Sequence, residues 1–146
     1  MVCSFFGHRD VSDSIEPLLY RTVCQLIEDG VVYFQVGNQG FFDSMVLRVL
    51  RRAQEEHPHI GYVVVLAYLP KDNVLWTPYR EDEAFFPEEL MRVHPRYAIS
   101  KRNCWMIQRS DVVVTYIVRP YGGAARAAEY ATKQGTRVIN LAEIEE

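Results

Sequence analysis

Val31-Val32-Tyr33-Phe34-Gln35-Val36-Gly37-Asn38-Gln39-Gly40 reads as a short apolar strand that stops at a polar turn flanked by glycines. Directly after it, Phe42, Met45, Val46, Val49, Leu50 and Ala53 recur at three- and four-residue spacing, the stripe of a helix with one buried face. A strand passed through a glycine turn into an amphipathic helix is the repeating unit of an α/β fold, and the chain repeats it on both sides of this segment. Upstream, Val2 to Phe6 is an apolar strand ending at Gly7-His8-Arg9-Asp10. It is followed by a stripe of Ile15, Leu18, Leu19, Val23, Leu26 and Ile27 that Gly30 closes. Downstream, Gly61 to Leu69 is apolar along its length, as suits a strand covered on both faces near the centre of a parallel sheet.

The segment from about 69 to 95 breaks the pattern and reads as a long insertion, carrying Lys71-Asp72-Asn73, Glu81-Asp82-Glu83 and the aromatics Trp76, Tyr79, Phe85 and Phe86. Beyond it, Ser100 caps a helix to about Arg109, Asp111 to Val118 forms a fourth strand, Ala124 to Gln134 a helix, and Thr136 to Leu141 a fifth strand. The order β-α-β-α-β-loop-α-β-α-β predicts a single Rossmann-like α/β domain over residues 1–146. Right-handed crossovers give it a parallel sheet of about five strands with helices on both faces.

Composition narrows the function classes. With 146 residues, 49% of them apolar and 24% charged, the chain has the balance of a globular protein with a real core. Sixteen basic against nineteen acidic residues leave a net charge of −3, so no global positive field is present and no nucleic-acid partner is expected. No apolar run approaches the roughly 20 residues of a membrane span, and the first residues carry no basic leader. A cytoplasmic protein is expected. Cys3, Cys24 and Cys104 are odd in number and lack C-x-x-C spacing, the usage of reduced thiols. His57-Pro58-His59 has no acidic or cysteine partner at ligand spacing, so no metal site is expected.

Ligands of open α/β sheets bind at the carboxyl ends of the strands. That rule selects three loops, Gly7 to Asp10, Gly37 to Asp43 and Tyr121 to Ala125, whose backbone N–H groups and helix dipoles would converge on an anion, most naturally phosphate. Neither G-x-G-x-x-G nor G-x-x-x-x-G-K-[ST] is present.

Four motifs together resemble the SLOG superfamily, and within it the YpsA-like branch. They are Gly7-His8-Arg9, Gly37-x-x-Gly40-x-x-Asp43, Arg102-Asn103-x-x-Met106 before Ser110-Asp111, and Gly122-Gly123 with Glu129. The resemblance spans nearly the whole chain. It implies a Rossmann-like fold that binds nucleotides or nucleotide-derived molecules, either as a sensor or carrier or as a LOG phosphoribohydrolase that releases a base from a nucleoside monophosphate. The catalytic Arg and Glu of the LOG enzymes fall on Arg102 and Glu129. Asn103 stands where those enzymes have Lys, Tyr121 replaces Pro, Ala125 replaces Gly and Arg126 replaces Thr.

From the residue chemistry, Glu129 is the carboxylate suited to an oxocarbenium-like centre, with an exposed helix glutamate as the alternative. Arg102 is suited to pairing bidentately with phosphate. Asp43 can accept ribose hydroxyls or cap its helix, and Asn38 and Asn103 can read a sugar or base edge. His8 and Arg9 can meet phosphate, together with the turns at Gly7, Gly37, Gly40, Gly122, Gly123 and Ala124. The insertion aromatics can close over a base by stacking, or can pack the loop against the core or a second subunit. The expected function is binding of a small nucleotide-like ligand as a sensor or carrier, with no cofactor assigned and a homo-oligomer allowed. The alternatives are an N-glycoside hydrolase and a structural or interaction protein.

Overall fold

The computed structural model describes residues 1–70 and 77–144. Lys71-Asp72-Asn73 and Trp76 lie outside the described residues. The repeat of strand and helix is present throughout: β1 (Val2–Gly7), α1 (Glu16–Glu28), β2 (Tyr33–Val36), α2 (Phe41–Glu56), β3 (Gly61–Val65), β4 (Ala84–Phe85), α3 (Ala98–Gln108), β5 (Val112–Tyr116), α4 (Gly123–Lys133) and β6 (Arg137–Asn140). All six strands run parallel in the order β4-β3-β2-β1-β5-β6. After β1 the chain builds the sheet outward through β2, β3 and β4, then returns to the other side of β1 to add β5 and β6. The topological switch point therefore lies between β1 and β5.

Each face of the sheet is buried by two helices. Against α1 and α2 pack Phe5, Phe34, Val36 and Val114 with Leu19, Val23, Phe42, Met45 and Leu50, the larger core. On the other face Phe6, Val65 and Val113 meet Met106 and Ile107 of α3 and Ala127 and Ala131 of α4. Two alanines on the inner stripe let α4 lie close to the strands, which brings its N-terminus down to the carboxyl edge of the sheet. Among the described residues no helix is long and apolar enough to cross a membrane.

Three expectations change. The sheet has six strands, because the insertion contributes the two-residue edge strand β4, which shields β3; β3 is flanked by β2 and β4 and the sheet centre is β2–β1. α3 begins at Ala98 behind a 3₁₀ turn at Pro95–Tyr97, so Ser100 sits inside the helix and does not cap it. The insertion is held by a buried carboxylate: Glu83 accepts from Arg51 Nε at 2.9 Å and Nη2 at 2.6 Å, from the Tyr62 hydroxyl at 2.6 Å, and from the Arg80 backbone N–H at 2.7 Å. Tyr79 and Phe86 pack on the larger core, while Phe85 packs its ring 5.7 Å from that of Trp105. These aromatics fasten the insertion to the body of the domain.

Candidate functional site

A crevice of about 830 Å³ opens at the carboxyl ends of β1, β2 and β5, where the fold places the switch point. Of the thirteen candidate residues, Gly7, His8, Arg9, Gly37, Gly40, Asp43, Arg102, Asn103, Gly122, Gly123 and Ala124 line it. Asn38 and Glu129 do not. Glu129 is exposed on α4 and ion-paired to Lys133 at 3.1 Å, one helical turn on. The catalytic carboxylate of the hydrolase expectation is therefore absent from the crevice, and the alternative of an exposed helix glutamate is the observed one.

The glycine loops divide into two kinds. A Cβ on Gly7 would meet the Phe42 ring at 2.4 Å, one on Gly37 the Arg102 guanidinium at 2.7 Å, and one on Gly40 the Arg9 side chain at 2.7 Å. These three glycines admit packed side chains of the protein itself. Their loops are also internally bonded. The Phe41 N–H donates to the Arg9 carbonyl at 3.1 Å, and the Gln39 N–H donates to the Asp43 carboxylate at 2.8 Å. Asp43 thus serves the first turn of α2, the capping alternative. Its burial raises its pKa, an effect opposed by the Gln39 hydrogen bond and by Arg102 and Arg9.

The third loop differs. Gly122 caps α4 with φ +100°, a backbone conformation that side-chain-bearing residues adopt only at a cost, and nothing lies within 4 Å of a Cβ built on it or on Gly123. No side chain caps this helix start. Gly122, Gly123 and Ala124 at this start line the crevice, which places the positive end of the helix dipole at its wall.

Arg102 is 3% exposed, and it donates from Nε to Asn103 Oδ1 at 2.9 Å and from Nη1 to Gln39 Oε1 at 3.0 Å and the Val65 carbonyl at 2.9 Å. It ties α3 to the ends of β2 and β3 and supplies the crevice floor with positive charge. Burial lowers its pKa while Asp43 opposes that shift, and an arginine keeps its proton in such a site. His8, 6% exposed, accepts from the backbone N–H groups of Val118 at 3.0 Å and Arg119 at 3.3 Å through Nε2. This fixes its proton on Nδ1 and keeps the ring neutral; burial and Arg119 lower its pKa, against Asp10. His8 is therefore the clamp of the β5–α4 loop. That loop carries Arg119, which forms a two-pronged pair with Asp10 at 2.9 and 3.3 Å.

The charges that line the crevice are five arginines, Arg9, Arg96, Arg102, Arg119 and Arg126, against Asp10 and Asp43. Outside it, Arg48, Arg51, Arg52, Arg80 and Arg109 are each ion-paired to a carboxylate. Among the described residues Arg9, Arg96 and Arg126 have no carboxylate within ion-pair distance, as is also true of Arg92 and Arg137 elsewhere on the surface, and these three are the ones gathered at one crevice. Sequence reasoning misses Arg96 and Arg119. The available signal was a bias in cation type, thirteen arginines to three lysines, with the arginines recurring just after strands or just before helices.

No family model matches the chain, and no curated protein matches it by sequence. Among solved structures it is similar to DNA processing protein A from Helicobacter pylori, whose structure describes a single-stranded DNA binding mode. The TM-score is 0.64 at 14% identity, over 94% of this chain and 63% of that one. DNA processing protein A from Streptococcus pneumoniae gives a TM-score of 0.64 at 15% identity, over 93% of this chain and 48% of that one. The chain thus spans less than two thirds of the proteins it resembles. Such identities show the fold, and it is the Rossmann-like fold that the SLOG motifs imply. The likeness overturns two expectations, that nucleic acid is not a partner and that a small nucleotide-like molecule is the main occupant, since in the Helicobacter pylori protein this fold accompanies single-stranded DNA binding. The first rested on net charge, which averages over the whole surface. At the carboxyl edge of this parallel sheet the local charge has the opposite sign, five arginines against two aspartates, on a fold that is similar to that of the DNA processing proteins.

Proposed function

We propose that the crevice binds single-stranded DNA through its phosphate backbone. The observation that carries this reading is the set of unpaired arginines, Arg9, Arg96 and Arg126, facing one crevice beside the open start of α4. Arginine guanidinium groups match phosphate geometry, and released counterions give such a site its affinity. The fold likeness to DNA processing protein A supports the choice of a single strand as occupant. Membership of the YpsA-like branch and a setting inside the cell belong to the same reading.

The test is fluorescence anisotropy with a labelled 20-nucleotide oligo(dT) across a salt series. Saturable binding is expected, with log K falling linearly in log salt. Replacing Arg9, Arg96 and Arg126 together by Ala should flatten that line by about 2, roughly 0.7 per lost phosphate contact on a single strand. A slope that survives the triple substitution, or no binding at low salt, overturns the proposal.

A further inference from the structure

The arginines of the crevice do not stand alone. Among the described residues the exposed large aromatics are Tyr33, Phe41, Tyr68, Phe85, Tyr97 and Tyr121, and all of these but Tyr33 lie at or beyond the carboxyl ends of strands. Two of them, Tyr97 and Tyr121, interact with a crevice arginine, and a third, Phe41, is joined to one through the backbone. Phe41, 69% exposed, begins α2 and is bonded through its N–H to the Arg9 carbonyl. Tyr97, 54% exposed, has the Arg96 guanidinium 5.8 Å from its ring centroid. Tyr121, 67% exposed, lines the crevice and acts electrostatically on Arg119.

Topology puts these pairs in a row. The Tyr68 hydroxyl donates to the Pro95 carbonyl at 3.0 Å, which fixes the Arg96–Tyr97 turn at the end of β3. Phe41 follows β2, Arg9 follows β1, and Arg119 and Tyr121 follow β5. In the sheet order β3-β2-β1-β5 the row is therefore Tyr97 with Arg96, then Phe41, then Arg9, then Arg119 with Tyr121. It crosses three interstrand steps, ~14 Å at the usual strand spacing.

Large aromatic surface left in water is costly, and arginines set among the rings suit an occupant that alternates apolar faces with negative charge. A polynucleotide strand with unpaired bases has that alternation: every base offers a face and every linkage a phosphate. A duplex does not, since its base faces are covered by stacking. Building on the backbone-binding reading above, we propose that Tyr97, Phe41 and Tyr121 are base-stacking platforms. The strand then runs across the carboxyl edge of the sheet, roughly perpendicular to the β-strands, from the β3 side to the β5 side.

The experiment compares a labelled 20-nucleotide oligo(dT) with an abasic strand of the same length, on the wild type and on Phe41→Leu, Tyr97→Leu and Tyr121→Leu. All three side chains are exposed, and unchanged thermal midpoints check that the variants are folded. The wild type should prefer oligo(dT) by about a hundredfold or more. Each Leu variant should lose about tenfold for oligo(dT), with affinity for the abasic strand and the salt slope unchanged. Equal binding of the two strands, with the variants indistinguishable from wild type, overturns the platforms while leaving the backbone site standing. Binding of neither strand overturns both.

Discussion

Replacing Glu83 by Gln tests whether one buried carboxylate holds the insertion in place. Arg51, Tyr62 and the Arg80 backbone all donate to Glu83, and together they pull its pKa from 4.5 down to about 2, with the Arg51 hydrogen bonds the largest cause and burial opposing. A fall of that size corresponds to about 3 kcal/mol of stability carried by the ionised form. The Glu83 side chain is only 3% exposed, so solvent screens this little, whereas Arg51 is 35% exposed and regains water when its partner is lost. The substitution should therefore cost about 3 kcal/mol, the low end of the range for breaking a buried pair, or roughly 10 °C in thermal midpoint. The sign with pH follows from the direction of the shift. A depressed carboxylate contributes in full above its unfolded pKa near 4.5 and loses that contribution as pH falls through about 2. Urea unfolding of both proteins from pH 7 to pH 2 should show the difference constant above pH 5 and shrinking steadily below it. A variant as stable as wild type at neutral pH, or a gap that stays constant down to pH 2, would refute the anchoring role. Because the insertion continues into Arg96 and Tyr97, weaker oligonucleotide binding should accompany the loss of stability.

Other outcomes separate packing from binding. Gly37→Ala drives a methyl group into the buried Arg102 guanidinium and should cost about 1–3 kcal/mol in chemical denaturation, whereas Gly123→Ala, with open space above it, should be neutral or slightly stabilising. For His8 the lowered pKa means that the unfolded chain takes up the proton first. Wild-type stability should thus decline as pH falls below about 6.5, and His8→Gln should lack that decline; parallel pH curves would contradict the clamp. Glu129→Ala removes only an exposed pair with Lys133, so stability should change by less than ~0.5 kcal/mol and oligonucleotide affinity should not fall. A collapse of binding in that variant would return Glu129 to the site.

What the sequence made legible was set by local chemistry. Strands such as Val31 to Val36 and stripes such as Phe42 to Ala53 announce themselves because burial on a sheet or helix face imposes a period, and the loops between them follow. β4 does not, since two residues carry no period and the strand exists only because Glu83 pins the insertion beside β3. Gly7, Gly37 and Gly40 were recognisable as special positions, yet their reason is a neighbour far along the chain: Phe42, Arg102 and Arg9. Turn geometry and close packing both call for glycine, and only tertiary structure tells them apart. The positive crevice was hidden for a related reason. A net charge of −3 sums a surface of ion-paired side chains with one of unpaired arginines, and the sum conceals the field that a ligand meets.

The keyed packing of the first two loops bears on how this domain can be altered. Gly7 interlocks with α2, Gly37 with α3 and Gly40 with Arg9 of the loop after β1, so a mutagenic library at those positions would yield mostly misfolded members. The stretch from Arg119 to Gly123 rests on the rest of the protein mainly through backbone bonds to His8 and the pair with Asp10, with empty space above its glycines. Diversity confined to that stretch, with Gly122 kept for its left-handed backbone, and displayed on an otherwise unchanged scaffold would sample new recognition with little loss of foldable clones. Selection for altered specificity would begin there.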